Sequence, residues 1–472
     1  MQPRRIAEGK SEGKLFGPRS KTMAGADAIA AALDREALLE YLDTQIYVKR
    51  APGRNKVDFY IPAYCRYAGE ERIERLIKQG EEWEWSSGGD YAEFVRESLY
   101  LSGTRAALRS CENLEAYAAM RGGSVQDLRD ILMTDMPGLD LDEEGKKVYD
   151  LGGRQVEAVL DKDLNISLYD TSAGKHVKSL PKAGADPEAY KAAKAHLTAM
   201  KKEIRRIAAQ KKEMLFTAFL EGSRQTVKSW RTVYLGNPLL RRMAGWVVWS
   251  QGGRTFTLKD KEPVDAQGNP ITLGEQPIFQ AHPMEMENEE TAAWQNYFLT
   301  RLGGKQLYLQ MWEPVYRAEE ISPDRYKGID IPLKRFMDRK ADGIIYTYDN
   351  SYAGLGLGFA DCEAEWEAEG IRRGGPDLDA KVTIKEFRFP RFTRRVNHLV
   401  GLLDRWSLSQ LIERDDAAVS KLLGKLTLSK EETEQYLEQA IACGAKNCTA
   451  ALLEYKNAHK GAVDPMDAFV LD

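Results

Sequence analysis

The chain has 472 residues, 43% of them hydrophobic and 30% charged, with a formal net charge of −4. At roughly 100–200 residues per domain this predicts two to four packed units, with an ordinary globular composition rather than a fibrous or low-complexity one. No apolar run approaches the roughly 20 residues of a membrane span, the first residues lack a signal-peptide core, and five scattered cysteines suggest no disulfide framework; a cytoplasmic protein without membrane contact is expected.

Residues 1–22 hold six Lys/Arg against two Glu and no apolar periodicity, which predicts a disordered basic tail. Residues 23–137 read as helical. Leu38, Leu39 and Leu42 fall at helix spacings, and further helices are expected near 70–80, 90–102, 104–120 and 124–134. The rhythm of short helices and small loops suits a HEAT- or armadillo-like solenoid, or equally a plain bundle. At 138 the pattern changes, opening a mixed core expected to run to 396. Leu164, Ile166 and Leu168 alternate between Asp/Gly/Ser breaks, so 146–180 reads as a small antiparallel ribbon.

Asp186-Pro187, an N-cap acid followed by proline at the first helical position, opens the longest helix. Tyr190, Ala193, Leu197, Met200, Ile204, Ile207, Lys211, Met214 and Ala218 follow at alternating threes and fours, an apolar stripe with one lysine in it, and Gly222 ends it. Strands are then expected at Thr255–Leu258, Leu307–Trp312, Ile344–Tyr348, Leu355–Phe359 and Val382–Phe389. They do not alternate with helices of 10–15 residues, which favours α+β over a doubly wound sheet. Four helices, near 397–412, 415–424, 429–443 and 447–459, fill a closing segment over 397–472. Ser429-x-x-Glu432 is a capping box, Gly444 follows the third helix, and the last two form a hairpin.

Charge is unevenly placed. Residues 187–245 contain thirteen Lys/Arg and four Glu, a net +9 that leaves −13 for the remainder. Lys191, Lys194, Lys201, Arg205 and Lys212 make a second stripe on the long helix. With Arg224 and Lys228 beyond it, this is the footprint expected for an anionic or nucleic-acid partner. A solvated face is the simpler reading, since no DNA-reading motif accompanies it. The candidate binding residues are therefore Lys194, Lys201, Arg205, Lys212, Arg224 and Lys228.

Other motifs read plainly. Phe387, Phe389 and Phe392 interleave with Arg388, Arg391, Arg394 and Arg395, which could stack bases and hold phosphates. On a strand the rings more simply face a core and the arginines water. Asp140-x-Asp142-x-Glu144-Gly145 opens like a calcium loop but meets Leu151 where the bidentate Glu is required, so an exposed turn is expected. The alternating acids from Asp361 to Glu369 read as a solvated face. Gly354-Leu355-Gly356-Leu357-Gly358 lacks dinucleotide spacing and reads as a tight turn entering a strand. Cys443-x4-Cys448 has no partners to complete a zinc site. No G-x-S-x-G or H-E-x-x-H occurs. Of the five histidines, His282 is the one to test as a general base, with a structural role the better expectation. No catalytic residue, metal or cofactor is expected.

Several stretches share one family pattern. The strongest is Trp230-x3-Tyr234-Leu235-x-Asn237-Pro238-Leu239-Leu240-x2-Met243-Ala244-x2-Val247-x-Trp249. Leu180–Asp186, Ala281–Glu285 followed by Trp294, and Gln310–Tyr316 support it. Together they resemble the bacterial domain-of-unknown-function family 4132, whose members include proteins named molybdate metabolism regulators. The resemblance runs over about 105–400 and extends to the closing hairpin at 451–457, which it implies is ankyrin-like. It implies no catalytic residues, and the WGR domain common in the family has no counterpart here. Leu333–Ile345 departs from the family's pattern. The expected function is a non-catalytic intracellular interaction or regulatory module with a protein partner. Anion or nucleic-acid binding through 187–245 is the alternative, and an enzyme with a site assembled from distant loops is the second.

Overall fold

The computed structural model describes residues 34–48, 60–84, 89–111, 113–136, 139–349, 352–375 and 377–460. The basic tail expected over 1–22 lies outside them. The chain divides into two units, Met1–Asp135 and Met136–Asp472.

The first unit's described elements are helical: α1 (Arg35–Asp43), α2 (Tyr60–Tyr67), α3 (Glu70–Glu84), α4 (Gly89–Leu99), α5 (Arg105–Arg109), α6 (Leu114–Arg121) and α7 (Val125–Thr134). The single helix expected over 104–120 is two helices. Asn113 accepts a hydrogen bond from the Ala116 N–H, so its side chain starts a new helix where the apolar pattern alone runs on. Leu39, Leu42, Ile61, Tyr64, Ile73 and Phe94 fill the core of the unit. Glu70 accepts the N–H groups of Arg105 and Ala106 at 3.0 and 2.6 Å and so caps α5 from α3.

The second unit opens with β1 (Lys146–Asp150), β2 (Gln155–Leu160), β3 (Ile166–Asp170) and β4 (Lys175–Val177), an antiparallel meander in sequence order. This is the expected ribbon. Val156, Ala158, Leu160, Ile166 and Leu168 point to its buried face. Asp142 accepts the Glu144 and Lys146 N–H groups, and Gly145 has φ 81°, so the calcium-like stretch is a side-chain-stabilised turn.

Next comes α8 (Pro187–Glu221), 35 residues long, with the Asp186 side chain on the Ala189 N–H, Pro187 in its first turn and Gly222 left-handed at its end. Two short helices follow, α9 (Val227–Trp230) and α10 (Pro238–Ala244). Asn237 caps α10 by accepting from the Leu239 and Leu240 N–H groups. Arg241 and Arg242 donate back to carbonyls of Glu143, Leu160 and Asp161, tying α10 to the first sheet. Trp230, Tyr234, Trp249 and Phe256 meet in one aromatic cluster with ring centroids 4.7–5.6 Å apart. The most family-like stretch is thus a packing motif.

The sheet beyond it holds β5 (Trp249–Gln251), β6 (Arg254–Lys259), β7 (Glu262–Val264) and β8 (Phe279–Gln280) in the order β7-β6-β5-β8, and α11 (Asn288–Arg301) follows. Leu307–Trp312 is not a strand: its end is a 3₁₀ turn, Gln310–Trp312. The buried Gln310 amide does the pairing instead, accepting from the Val248 N–H and donating to the carbonyls of Val248 and Ala281, each at 2.8 Å.

β9 (Asp330–Pro332), β12 (Glu363–Glu369) and β13 (Lys381–Arg388) make a sheet ordered β12-β13-β9, beside the hairpin of β10 (Ile344–Asp349) and β11 (Gly354–Phe359). The glycine run therefore lies within a strand and does not form the turn before it. A Cβ on Gly356 would run into the Thr347 hydroxyl of the facing strand, a close cross-strand approach that favours glycine there. Glu363, Glu365, Glu367 and Glu369 occupy the exposed face of β12, and Asp361 lies in the turn before it. The chain ends in α12 (Arg394–Glu413), α13 (Ala418–Leu423), α14 (Lys430–Cys443) and α15 (Lys446–Ala458), with the Ser429–Glu432 capping box present and α14 and α15 forming the hairpin. Val396, Leu399, Val400, Leu403 and Trp406 of α12 pack on Ile331, Val382, Ile384 and Phe387. Short antiparallel sheets, one long helix and terminal helices make this α+β, as expected. Among the described residues no helix is long and apolar enough to cross a membrane.

Candidate functional site

α8 has two faces. Ala193, Leu197, Met200, Ile204, Ile207 and Ala208 are buried, with Lys211 among them at 2% exposure. Lys194, Lys201 and Arg205 are exposed on another flank, and Lys212 is half-buried there. Spacings of seven, four and seven put these four on one side of a helix. Among the described residues no carboxylate lies within ion-pairing reach of Lys194, Lys201 or Arg205. The other two sequence candidates lie elsewhere: Lys228 is exposed on α9, and Arg224 lies past the end of α8 with its guanidinium carbon 4.8 Å from the centre of the Phe279 ring.

That ring belongs to a cleft of about 570 Å³, where the end of α8, β8, the 3₁₀ turn Pro283–Glu285 and the start of α12 meet. Arg224, Arg391, Arg394 and Arg395 line it, against Glu221, Glu285 and Asp361. Arg394 is 8% exposed, and its hydrogen bonds explain why it departs from the arginines-to-water expectation. It makes a bidentate pair with Glu285, 2.7 Å to each oxygen, and donates at 3.0 Å to the carbonyls of Phe219 and Gln280. A cation on the last carbonyls of α8 is also where the helix dipole favours it. Arg395 reaches Glu221 at 3.3 Å, and Asp361 accepts from the Thr393 hydroxyl at 3.1 Å. Phe387 is buried and Arg388 exposed, in line with strand alternation, while Phe389 and Phe392 are half-buried against each other.

Behind the cleft, α12 carries polar groups into the interior. Asn397, fully buried, accepts from the Tyr316 N–H and donates to the Pro314 carbonyl. His398 lies between two carboxylates, Nδ1 2.8 Å from Glu313 and Nε2 2.8 Å from Asp342. Burial opposes a charge there, but the Glu313 carboxylate and the bonds to Asp342 and Glu313 outweigh it and push His398 up to about 10. Asp404 accepts both forks of Arg325 at 2.9 and 2.7 Å and the Tyr326 hydroxyl at 3.2 Å. The sequence marked none of these three, because their partners are about 56–85 residues away in the chain.

His282 is completely buried and stacks on Phe219 with ring centroids 4.8 Å apart. Its Nδ1 accepts from the Met284 N–H at 3.1 Å, which caps the 3₁₀ turn. Burial, with the charges of Arg394 and His398 nearby, holds its pKa well below the usual histidine range. Among the described residues no carboxylate is hydrogen-bonded to it. No group of three or more His, Cys, Asp or Glu suited to a metal ion occurs among the described residues. Cys443 is exposed and Cys448 buried.

Residues 174–343 match the family model described as "Domain of unknown function (DUF4132)". The matched segment is similar to this family. It is narrower than the 105–400 span of the sequence resemblance. No curated protein and no solved structure matches the chain. The DUF4132 segment begins in β3–β4 territory, contains α8 and the β5–β8 sheet, and stops one residue before β10. It holds three sides of the cleft, and α12 supplies the fourth.

Proposed function

We propose that the chain is a non-catalytic interaction module that docks an acidic polypeptide partner on the basic flank of α8. The supporting observation is the set Lys194, Lys201 and Arg205: exposed, on one flank, without carboxylates in reach among the described residues, on a helix whose other face is buried. At 1.5 Å per residue these cations sit about 10 and 6 Å apart along the axis, which suits carboxylates spaced along a peptide. From Lys191 to Lys212 the helix has no Phe, Tyr or Trp, so the flank lacks the stacking platform that single-stranded nucleic-acid binders combine with their cations. His282 is read as structural, because its Nδ1 caps a turn and no carboxylate among the described residues pairs with it.

The test is fluorescence anisotropy with a labelled poly-glutamate peptide and a labelled single-stranded oligonucleotide, at about 50 and 200 mM salt. The peptide should bind, and the triple reversal Lys194→Glu, Lys201→Glu, Arg205→Glu should abolish binding. Binding of the oligonucleotide alone, with a steep salt slope, would transfer the reading to nucleic acid. Failure of both probes would remove it.

A further inference from the structure

The cleft between α8, β8 and α12 holds more guanidinium than carboxylate, and the surplus can be located. Arg394 is occupied by Glu285 and two carbonyls, and Arg395 by Glu221. Asp361 is turned to the Thr393 hydroxyl. Arg224 and Arg391 line the same space, are exposed, and have no carboxylate within ion-pairing reach among the described residues. The Arg224 guanidinium carbon lies 4.8 Å from the centre of the Phe279 ring, a cation–π contact that holds the charge at the cleft wall. The first turn of α12 carries two arginines and no acid, so the helix end adds positive potential and supplies no internal anion. Leu220, Phe279, Met284 and Phe392 give the cleft an apolar wall. Its volume of about 570 Å³ is that of a small-molecule site.

We propose that this cleft binds a small phosphorylated organic anion, its phosphate between Arg224 and Arg391 and its apolar body against Phe279 and Phe392. Two guanidinium forks supply enough N–H donors for the several oxygens of a phosphate monoester. A lone carboxylate fills one fork and leaves the other unmatched. This site is separate from the flank of α8 and shares none of the three cations proposed to dock a polypeptide.

Titration calorimetry of the full chain with phenyl phosphate, inorganic phosphate and benzoate tests it. Phenyl phosphate should bind saturably at one site and more tightly than the other two. Arg224→Gln and Arg391→Gln should each weaken it about tenfold, the usual worth of a charge-assisted bond. Arg224→Lys, which keeps the charge without the fork, should fall between. Both arginines are exposed, and an unchanged unfolding midpoint verifies that the variants fold. Lys194→Glu/Lys201→Glu should leave this affinity unchanged. The proposal is overturned by an absence of saturable phenyl phosphate binding, by wild-type affinity in the Arg224→Gln/Arg391→Gln double variant, or by inorganic phosphate binding as tightly as the phenyl ester.

Discussion

A histidine enclosed by two carboxylates no longer behaves as a neutral-pH switch. The side chains of His398, Glu313 and Asp342 are only 10%, 9% and 11% exposed, so the three form a buried ionic bridge. Removing one member of such a bridge leaves the others buried and unmatched, at a cost of about 3–5 kcal/mol. His398→Gln should therefore lower unfolding stability by that order in urea titrations at neutral pH. The pH dependence has a definite sign. The folded pKa, about 10, lies above the unfolded value, near 6.5. The bridge's contribution is complete below about pH 6.5 and is lost as the pH rises to about 10, since the folded state then holds a proton the unfolded state has released. Wild-type stability should fall across that interval and the variant's should not. A flat wild-type profile would sink the assignment of a protonated His398. None of this is legible in sequence, where His398 is one of five histidines without common spacing. Gln310 is illegible for the same reason. Leu307–Trp312 has the apolar character of a strand, but the side chain of its one central amide replaces the backbone pairing, with partners 29 and 62 residues away.

Elements whose ends are set by local chemistry were legible. Asp186, Pro187 and Gly222 bound α8, and Ser429 with Glu432 starts α14, because caps act within a turn of the chain. The buried stripe of α8 was legible for most of its length and then moved. Strict alternation of threes and fours averages 3.5 residues per turn, so against 3.6 it drifts about 20° per heptad. After some four heptads the drift approaches one position. The interior accordingly takes Leu215 and Phe219, where the pattern predicted Met214 and Ala218, which are half-buried. That shift places Phe219 against His282 and its carbonyl on Arg394. Gly222, with φ 62° and ψ 33°, ends the helix in the left-handed region. A Cβ there would meet the Arg394 guanidinium at 3.6 Å, an ordinary contact, so the cost of a side chain is conformational and not steric. Gly222→Ala should destabilise by about 1–2 kcal/mol, and Gly222→Asn by less, since asparagine tolerates this region. Equal midpoints for all three proteins in urea would contradict this account.

At the scale of the molecule, the DUF4132 match and the folded unit have different limits. The match ends at residue 343, but α12 begins at Arg394. Arg394 binds Phe219, Gln280 and Glu285; Asn397 binds Pro314 and Tyr316; His398 binds Glu313 and Asp342. Every one of those partners falls inside 174–343. Without α12, the buried Glu313 and Asp342 carboxylates lose His398, leaving Asp342 with Arg339 at 3.5 Å, the last carbonyls of α8 lose their cation, and the apolar face of β9 and its neighbours loses Val396, Leu399 and Leu403. Buried polar groups left unpaired cost about 1–3 kcal/mol each, which taken together rivals the whole stability of a domain of this size. A fragment of residues 136–343 should therefore behave as a molten globule, with helical far-UV dichroism, no near-UV signal and strong ANS binding. The fragment 136–472 should unfold in one cooperative transition. If 136–343 gave a native near-UV spectrum and a sharp transition of its own, α12 would be an accessory to the segment rather than part of its core, and the cleft it closes would lose its fourth wall without loss of the fold.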